Sequence, residues 1–266
     1  MEHLPLYQRY RRASRHHRGP LVRTVAPRDL MLLVRRLARA SDGRVWLVAD
    51  GNTIGALPEI ADVLDPAHGT VLPANPVVVP ERQTALEIAG AARSADSATM
   101  LVVGGGTLTD LAKYAAAEAQ LPLVSIPSAA SVDAYTSAKS ALRIDGYHRT
   151  PWAHVPEIVL VSPAVLETAP ARLLFAGIGD LVAKIIARID WPLSASVTGE
   201  AFCERESWWS AQAARSALAR FRRGSSTSDA AVPAMDALLV TGRAMVLAGG
   251  SRPAASAEHT IAHLWE

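Results

Sequence analysis

The sequence is poor in several features, and each shortage excludes a class of protein. Its 266 residues include one cysteine, Cys203, which rules out an internal disulfide framework and leads us to expect a reducing, cytoplasmic setting. No apolar run approaches the roughly 18 residues of a transmembrane helix, since the best candidate, 234–250, is interrupted by Asp236 and Arg243. The arginine-rich N-terminus is followed by no apolar stretch and is therefore no secretory signal.

Net charge is also low. The formal value is +2 with a fifth of the residues charged, too little to indicate a nucleic-acid partner. Half of the residues are hydrophobic, which is typical of a globular protein, and the length allows one large domain or two modest ones. We therefore expect a small-molecule substrate, no membrane span, no nucleic acid, and a possible homo-oligomer.

The spacing of apolar residues divides the chain into two halves. In residues 1–165, short apolar runs alternate with helical patterns, which predicts an α/β domain with a parallel sheet. In residues 166–266 the pattern is helical throughout, and Trp208 and Trp209 are predicted to lie in its core. Between them, residues 138–150 read as irregular. The predicted strands are Arg44–Ala49, Val77–Val79, Met100–Val103, Leu123–Ile126 and Ile158–Val161.

The most informative stretch is Thr99–Asp110, which reads TMLVVGGGTLTD. An apolar strand is followed by three glycines and a helix for which Thr107 is the expected N-cap, with Asp110 at a loose capping-box spacing. Glycines before a helix N-terminus can hold a pyrophosphate, although an ordinary strand-to-helix turn would have the same pattern. The spacing matches neither the common dinucleotide fingerprint nor a Walker loop.

Two further segments are predicted to follow neighbouring strands. Asp50 ends an early strand, where it could bind a ribose hydroxyl or simply form an Asp-Gly-Asn turn. The hydroxyl-rich segment 127–137 follows another strand and could equally be an ordinary Ser/Ala loop. Because ligands bind at the carboxyl ends of parallel strands, we expect Asp50, Gly104–Gly106 and the run Pro127–Asp133 at one edge.

The helical half contains a second group of candidates. His259 and His263 are four residues apart, which places both imidazoles on one helix face, where they could share a metal or a substrate. Asp180 lies in an otherwise apolar helical pattern and needs a metal, a cation or a role as N-cap after Gly179. Residues 251–253 read as a turn between two helices.

Four blocks of the sequence resemble the sn-glycerol-1-phosphate dehydrogenase family, within the superfamily of iron-containing alcohol dehydrogenases and 3-dehydroquinate synthases. The resemblance implies a nucleotide-binding α/β domain (1–165), a helical metal and substrate domain (166–266) and a cleft between them. The blocks are GGGTLTDLAKY (104–114), PSAASVDAYTS (127–137), GIGDLVAKIIARIDW (177–191) and SRPAASAEHTIAHLWE (251–266).

Carried over position by position, the resemblance assigns roles to individual residues. Asp133 and His263 would contact the substrate and serve catalysis, while Asp180 and His259 would bind a divalent metal, expected to be Zn²⁺, close to the substrate. The implied activity is metal-dependent, NAD(P)-linked interconversion of dihydroxyacetone phosphate and sn-glycerol 1-phosphate or a similar polyol. NAD or NADP would contact Gly105, Gly106, Thr107, Leu108, Thr109, Asp110, Ser128, Ala129, Ala130, Ser131 and Ser137, with Asp50 added for the ribose.

The sequence departs from the family pattern in three places. Ala134 and Ser256 stand where family members usually have glycine. The third metal ligand, a histidine, lies in helices that family members have beyond the Trp-Glu pair, whereas this chain ends at Glu266; none of the histidines at 3, 16, 17, 148 and 154 matches it. We therefore expect an apparently truncated chain with weak metal binding and low turnover. A cyclase like 3-dehydroquinate synthase and a non-catalytic nucleotide-binding homologue remain alternatives.

Overall fold

In the computed structural model, which describes residues 19–75, 77–221 and 226–265, the first half of the chain forms a parallel sheet of six strands. The strands lie in the order β1-β8-β5-β4-β2-β3, and every neighbouring pair is parallel. Their bounds are β1 Leu21–Thr24, β2 Val45–Asp50, β3 Gly69–Leu72, β4 Thr99–Gly104, β5 Leu123–Pro127 and β8 Ile158–Val161.

Helices and apolar side chains bury both faces of the central strands. One core cluster packs helices around Val48, Met100 and Val102, and the other packs around Leu47, Leu101 and Val103. Burial on both faces explains why these strands are continuous apolar runs. The helices are α1 Pro27–Ala40, α2 Gly51–Ala56, α3 Arg82–Ser94, α4 Gly106–Ala119 and α5 Pro163–Glu167, with a 3₁₀ turn at Pro58–Ile60.

The prediction of a strand at Val77–Val79 is wrong. These residues belong to no strand, and the strand beside β2 is β3, which begins eight residues earlier. Val77 is followed closely by Pro80, which has no N–H to donate to a ladder. Gly69 allows β3 to approach instead, because a Cβ there would lie 2.5 Å from the carbonyl oxygen of Leu47. The other four strand predictions are confirmed within one or two residues at each end.

The segment 138–150, predicted to be irregular, contains a small antiparallel hairpin. Strand β6 (Leu142–Ile144) pairs with β7 (Tyr147–Arg149) across a two-residue turn, Asp145-Gly146. Both turn residues have positive φ, at 52° and 79°, which is the conformation that an Asp-Gly hairpin turn requires. The dipeptide is the signal that could have predicted the hairpin.

The second half forms a helical bundle, and the described residues after 165 contain no strand, as predicted. Helix α6 (Ala171–Thr198) packs against α7 (Glu204–Phe221) and α8 (Thr227–Ala248), and α9 (Ala257–Trp265) packs against α6. The predicted turn at 251–253 is confirmed. Its Arg252 donates two hydrogen bonds to the Glu200 carboxylate, at 2.8 and 2.6 Å, which ties the turn to the end of α6.

Trp208 and Trp209 are not core residues, contrary to the prediction. Their exposed fractions are 52% and 38%, and they line an open groove with Val240 and Leu247. The buried face of α7 is made mainly of small residues, and these permit close packing against its neighbours. The prediction was based on residue type alone. The two indoles are exposed because they lie away from the face of α7 that carries its buried small residues.

The chain divides into two compact units whose boundary is not a single point. One unit contains the residues up to Ser128 together with Ala138–Thr168, and the other contains Ala129–Ser137 together with the residues from Ala169. The short segment 129–137 therefore belongs to the helical unit. In the part of the chain that the structure describes, one helical segment, Asp229–Ala248, has the length and composition of a membrane span, and 61% of its most apolar window is buried in the structure.

Candidate functional site

Three adjacent strands of the first unit end beside one another at the carboxyl edge of the sheet. Asp50 ends β2, Gly104 ends β4, and Ser128 follows β5. Strands β5, β4 and β2 are neighbours in the sheet, and the N–H of Ser128 donates to the Gly104 carbonyl at 3.0 Å. The expected clustering of these positions is thus present, at the edge where parallel sheets bind ligands.

Helix α4 begins directly at the glycine turn. Its N-cap is Gly105, so the prediction of Thr107 as N-cap with Asp110 in a capping box is wrong, and Thr107, Leu108 and Thr109 belong to the first turn. Gly105 has no side chain with which to cap this helix, so among the described residues its first amides are available to an anion. This geometry fits the pyrophosphate of NAD(P).

Asp110, expected to contact the cofactor, lies within the protein interior. Its carboxylate is 3.3 Å from the ammonium of Lys113, a side chain with no exposed surface. The same ammonium donates to the carbonyl of Lys139, whose own ammonium lies 4.0 Å above the centre of the Trp152 ring. Burial lowers the pKa of Lys139. Asp110 and Lys113 thus support the glycine helix from within.

Asp50 has a local structural role. Its carboxylate accepts from the N–H of Thr53 at 2.8 Å, and its own N–H donates to the Thr53 hydroxyl at 2.9 Å, which is a capping box for α2. Among the described residues, this bonding occupies only Oδ1 of the carboxylate. The interpretation of Asp-Gly-Asn as a turn is therefore wrong, because Gly51 and Asn52 begin α2, whereas a contact of Asp50 with a ribose hydroxyl stays a prediction.

The segment 129–137 is held together by its own hydroxyl groups. The hydroxyl of Tyr135 donates to the Ala129 carbonyl at 2.5 Å and lies 3.1 Å from that of Ser131. Ser128, Ala129, Ala130, Ser131 and Ser137, the expected cofactor contacts, are all buried. A cofactor could therefore contact these residues only through the small part of their surface that stays exposed, unless the segment rearranged.

Asp133, Asp180 and Lys184 meet in the helical unit and form what we call the carboxylate–lysine cluster. The Lys184 ammonium lies 2.8 Å from Asp133 Oδ2 and 2.5 Å from Asp180 Oδ1. The N–H of Asp133 donates to Asp180 Oδ2 at 3.1 Å. Asp180 lies inside α6, so the N-cap interpretation is wrong and the need for a cationic partner is met by Lys184.

Burial sets the electrostatics of this cluster. It raises the pKa of Asp180 from 3.8 to about 6, with the negative charge of Asp133 adding to the shift and Lys184 opposing it. Burial also disfavours the charged form of Lys184, but the two carboxylates together outweigh it and the pKa of Lys184 is raised. The cluster thus contains two carboxyl groups that share one ammonium.

The two predicted histidines lie on α9, which packs against α6 in the same unit. His259 is partly buried, while the side chain of His263 lies outside the described residues. Among the residues that the structure describes, no three His, Cys, Asp or Glu side chains are grouped as a metal site requires. A shared ion between Asp180 and His259 therefore remains a prediction.

Several residues of this region were missed by sequence reasoning. Lys184 follows Asp180 by one helical turn, a spacing that could have suggested the pair, but its contact with Asp133 joins positions distant in sequence. Thr241 of α8 lies 3.5 Å from Asp133 Oδ2. Gly177 and Gly242 let α6 and α8 approach 129–137, since a Cβ on either would meet backbone atoms of Ala130 or Asp133.

A parallel sheet with a glycine turn before a helix at its carboxyl edge, followed along the chain by a helical unit, places the protein in the class of α/β folds whose carboxyl edge can bind a ligand. Within that class, the chain belongs to the iron-containing alcohol dehydrogenase family, whose model matches residues 24–170, more than half of its length. The matched residues include two of the four sequence blocks, 104–114 and 127–137, and the resemblance is confirmed at the level of the family.

Several similar curated proteins are named glycerol-1-phosphate dehydrogenase [NAD(P)+]. The one from Geobacillus stearothermophilus is 30% identical over 262 residues, which are 95% of this chain and 64% of the relative. The one from Thermococcus sibiricus is 36% identical over 182 residues, or 68% of this chain and 51% of the relative. The chain thus spans less than two thirds of the length of either.

Solved structures support the fold. Glycerol dehydrogenase from Schizosaccharomyces pombe superimposes with a TM-score of 0.65 at 22% identity, covering 92% of this chain and 64% of that one. A probable glycerol dehydrogenase from Sinorhizobium meliloti gives 0.67 at 22% identity, covering 92% and 69%. The predicted α/β domain followed by a helical region is confirmed.

Proposed function

We propose that this chain is a metal-dependent, NAD(P)-linked oxidoreductase that interconverts dihydroxyacetone phosphate and sn-glycerol 1-phosphate or a similar small polyol. The observation that carries the proposal is the similarity, across 95% of the chain, to a relative named glycerol-1-phosphate dehydrogenase [NAD(P)+]. The uncapped N-terminus of α4 supports the nucleotide part of the proposal, because it offers amides to a pyrophosphate. We further propose a cytoplasmic location and assembly with copies of itself.

The roles of individual residues follow from their positions. The amides of Gly105 and Gly106 and the first turn of α4 would hold the cofactor, whose nicotinamide supplies or accepts the hydride when bound. The Asp133 side chain keeps 15% of its surface exposed and is hydrogen-bonded from behind, so its free edge can accept a substrate hydroxyl. His263 is proposed to exchange a proton with the substrate.

The described residues do not supply a complete set of ligands for the proposed metal ion. Asp180 already pairs with Lys184, and within the described ranges no third ligand joins it. A tight three-ligand site of the kind found in catalytic zinc proteins is therefore not formed by these residues. We propose that a divalent ion, Zn²⁺, binds only weakly at Asp180 and His259. Asp133 would then bind the substrate hydroxyl, and His263 would exchange the proton, without depending on a tightly held metal.

The activity is tested by incubating the purified chain with NADH, dihydroxyacetone phosphate and added Zn²⁺. We expect slow formation of sn-glycerol 1-phosphate, identified by chiral chromatography coupled to mass spectrometry, because the ligand set of the described residues is incomplete. Asp133→Asn should abolish this product while NADH still binds. Arg188→Met is the matched control, since Arg188 pairs with Glu204 outside the cluster. Product formation unchanged in Asp133→Asn would contradict the role of Asp133.

Metal binding gives a separate prediction. We expect dialysis against a chelator to remove Zn²⁺ from the loaded chain, since Asp180 is engaged by Lys184 and belongs to no group of three possible ligands among the described residues. Elemental analysis before and after dialysis measures the loss, and Asp180→Asn should reduce the initial loading. One zinc per chain retained after chelation would show that the site is complete.

A non-catalytic, nucleotide-binding homologue is the second candidate function. The incomplete set of metal ligands within the described residues favours it. The same experiments separate the two: NADH binding with no detectable polyol phosphate product under any added divalent metal would favour the binding protein. Product formation would favour the dehydrogenase.

A further inference from the structure

Lys184 is the one member of the carboxylate–lysine cluster that neither the sequence patterns nor the proposed function uses. Its side chain is 1% exposed, whereas those of Asp133 and Asp180 retain 15% and 13%. A ligand arriving from solvent therefore meets the carboxylates, with the ammonium fixed beneath them. Lys184 cannot itself contact a substrate in this arrangement.

The ammonium fixes the distance between two groups that would otherwise repel each other. Two carboxylates this close in a buried setting gain from separation unless a cation lies between them. Lys184 supplies that cation with charge-assisted hydrogen bonds to both, at 2.8 and 2.5 Å. The Asp133 N–H bond to Asp180 at 3.1 Å closes the arrangement on the backbone side.

Few other contacts of the described residues could hold Asp133 in place. The hydroxyl of Thr241 approaches its Oδ2 only at 3.5 Å, the outer limit of a hydrogen bond. The neighbouring Thr136 anchors the segment by donating to the Leu239 carbonyl at 2.8 Å, but this bond does not orient the carboxylate. The direction of the Asp133 side chain is therefore set chiefly by Lys184.

We propose that Lys184 is a positioning residue, which holds the Asp133 carboxylate against Asp180 and thereby determines how well the helical unit binds a polyol or polyol phosphate. The proposal rests on the proposed function for its substrate class, while the geometry of the cluster is independent of it. In this proposal Lys184 touches no ligand itself, but it orients the Asp133 carboxylate, which contacts the substrate.

The test compares three variants. Lys184→Met removes the charge at nearly constant length, Lys184→Arg keeps the charge, and Arg188→Met removes a cation one turn along the same helix, where it pairs with Glu204. Hydrogen exchange is measured by mass spectrometry on peptides covering 129–137 and, for comparison, 227–248. These readings need no bound metal or cofactor.

We expect Lys184→Met to accelerate exchange at the Asp133 amide about tenfold or more, which corresponds to about 1.4 kcal/mol of local opening. Exchange in 227–248 should change far less, and Lys184→Arg and Arg188→Met should stay near the parent chain. Equal acceleration in the peptides covering 129–137 and 227–248 would show a general structural role and overturn the proposal, as would unchanged exchange in the peptide that contains Asp133. If Lys184→Met does not fold, the double variant with Asp180→Asn, which removes the buried repulsion, takes its place.

Kinetics supply the functional arm. In Lys184→Met the KM for dihydroxyacetone phosphate should rise about tenfold or more, with the NADH dissociation constant unchanged and partial recovery in Lys184→Arg. An unchanged KM in an active Lys184→Met variant would overturn the positioning role. Absence of product from the parent chain and every variant would count against the proposed function alone, and the exchange pattern would still decide the role of Lys184.

Discussion

Replacing Gly177 by alanine is expected to lower the free energy of unfolding by about 2 kcal/mol or more. Overpacking a core usually costs about 1–3 kcal/mol. A Cβ at this position would lie 2.9 Å from the carbonyl carbon of Ala130 and closer still to its oxygen. Because both partners are backbone atoms of buried elements, neither can rotate away. Helix α6 and the segment 129–137 would have to separate.

Gly179 provides the matched control two residues along the same helix. A Cβ there meets no atom within 4 Å, so alanine should raise stability by up to about 1 kcal/mol through its higher helix propensity. Urea unfolding of both variants, followed by circular dichroism, measures the difference. If the two substitutions changed stability alike, the close approach of α6 to Ala130 would be refuted.

Replacing Gly105 by valine is expected to abolish NADH binding in a fluorescence titration while leaving the fold intact. The backbone at Gly105 has φ −77° and ψ −167°, an extended conformation that valine adopts without strain. The loss would therefore come from the side chain, which would fill the space in front of the uncapped amides of α4.

The control for this experiment is Gly90→Val, in α3 of the same unit. A Cβ at Gly90 has no neighbour within 4 Å, so this variant adds the same side chain away from the glycine turn. It should bind NADH like the parent chain. If Gly105→Val bound NADH with unchanged affinity, the proposal that the cofactor binds at this helix N-terminus would be wrong.

The parts of the fold that sequence reasoning predicted are those with strong local signals. Buried strands such as β4 are continuous apolar runs, and the later helices have a clear period, so both were found. Val77–Val79 has the composition of a strand, but pairing depends on a neighbour with free backbone groups, and Gly69 made β3 the better partner of β2. Trp208 failed for a similar reason, because size does not tell which helix face is buried.

The candidate site divides in the same way. The glycine turn and the presence of Asp180 in an apolar helix are local features, and both were singled out from the sequence. The partner of Asp180 was not, because the bridge from Lys184 to Asp133 exists only after the segment 129–137 has packed on α6. The arrangement of His259 and His263 around a metal stays a prediction.

The inclusion of 129–137 in the helical unit has a consequence for the order of folding. Thr136 bonds to Leu239, 103 residues later, so on the ribosome this segment is synthesised long before the helix that completes its surroundings. Such non-local closure is slow compared with the formation of single helices. The helical unit is therefore not one continuous stretch of sequence. Cutting the chain near residue 165 would leave its helices without the segment 129–137, which packs against them. Transferring these helices to another protein would require residues 129–137 as well.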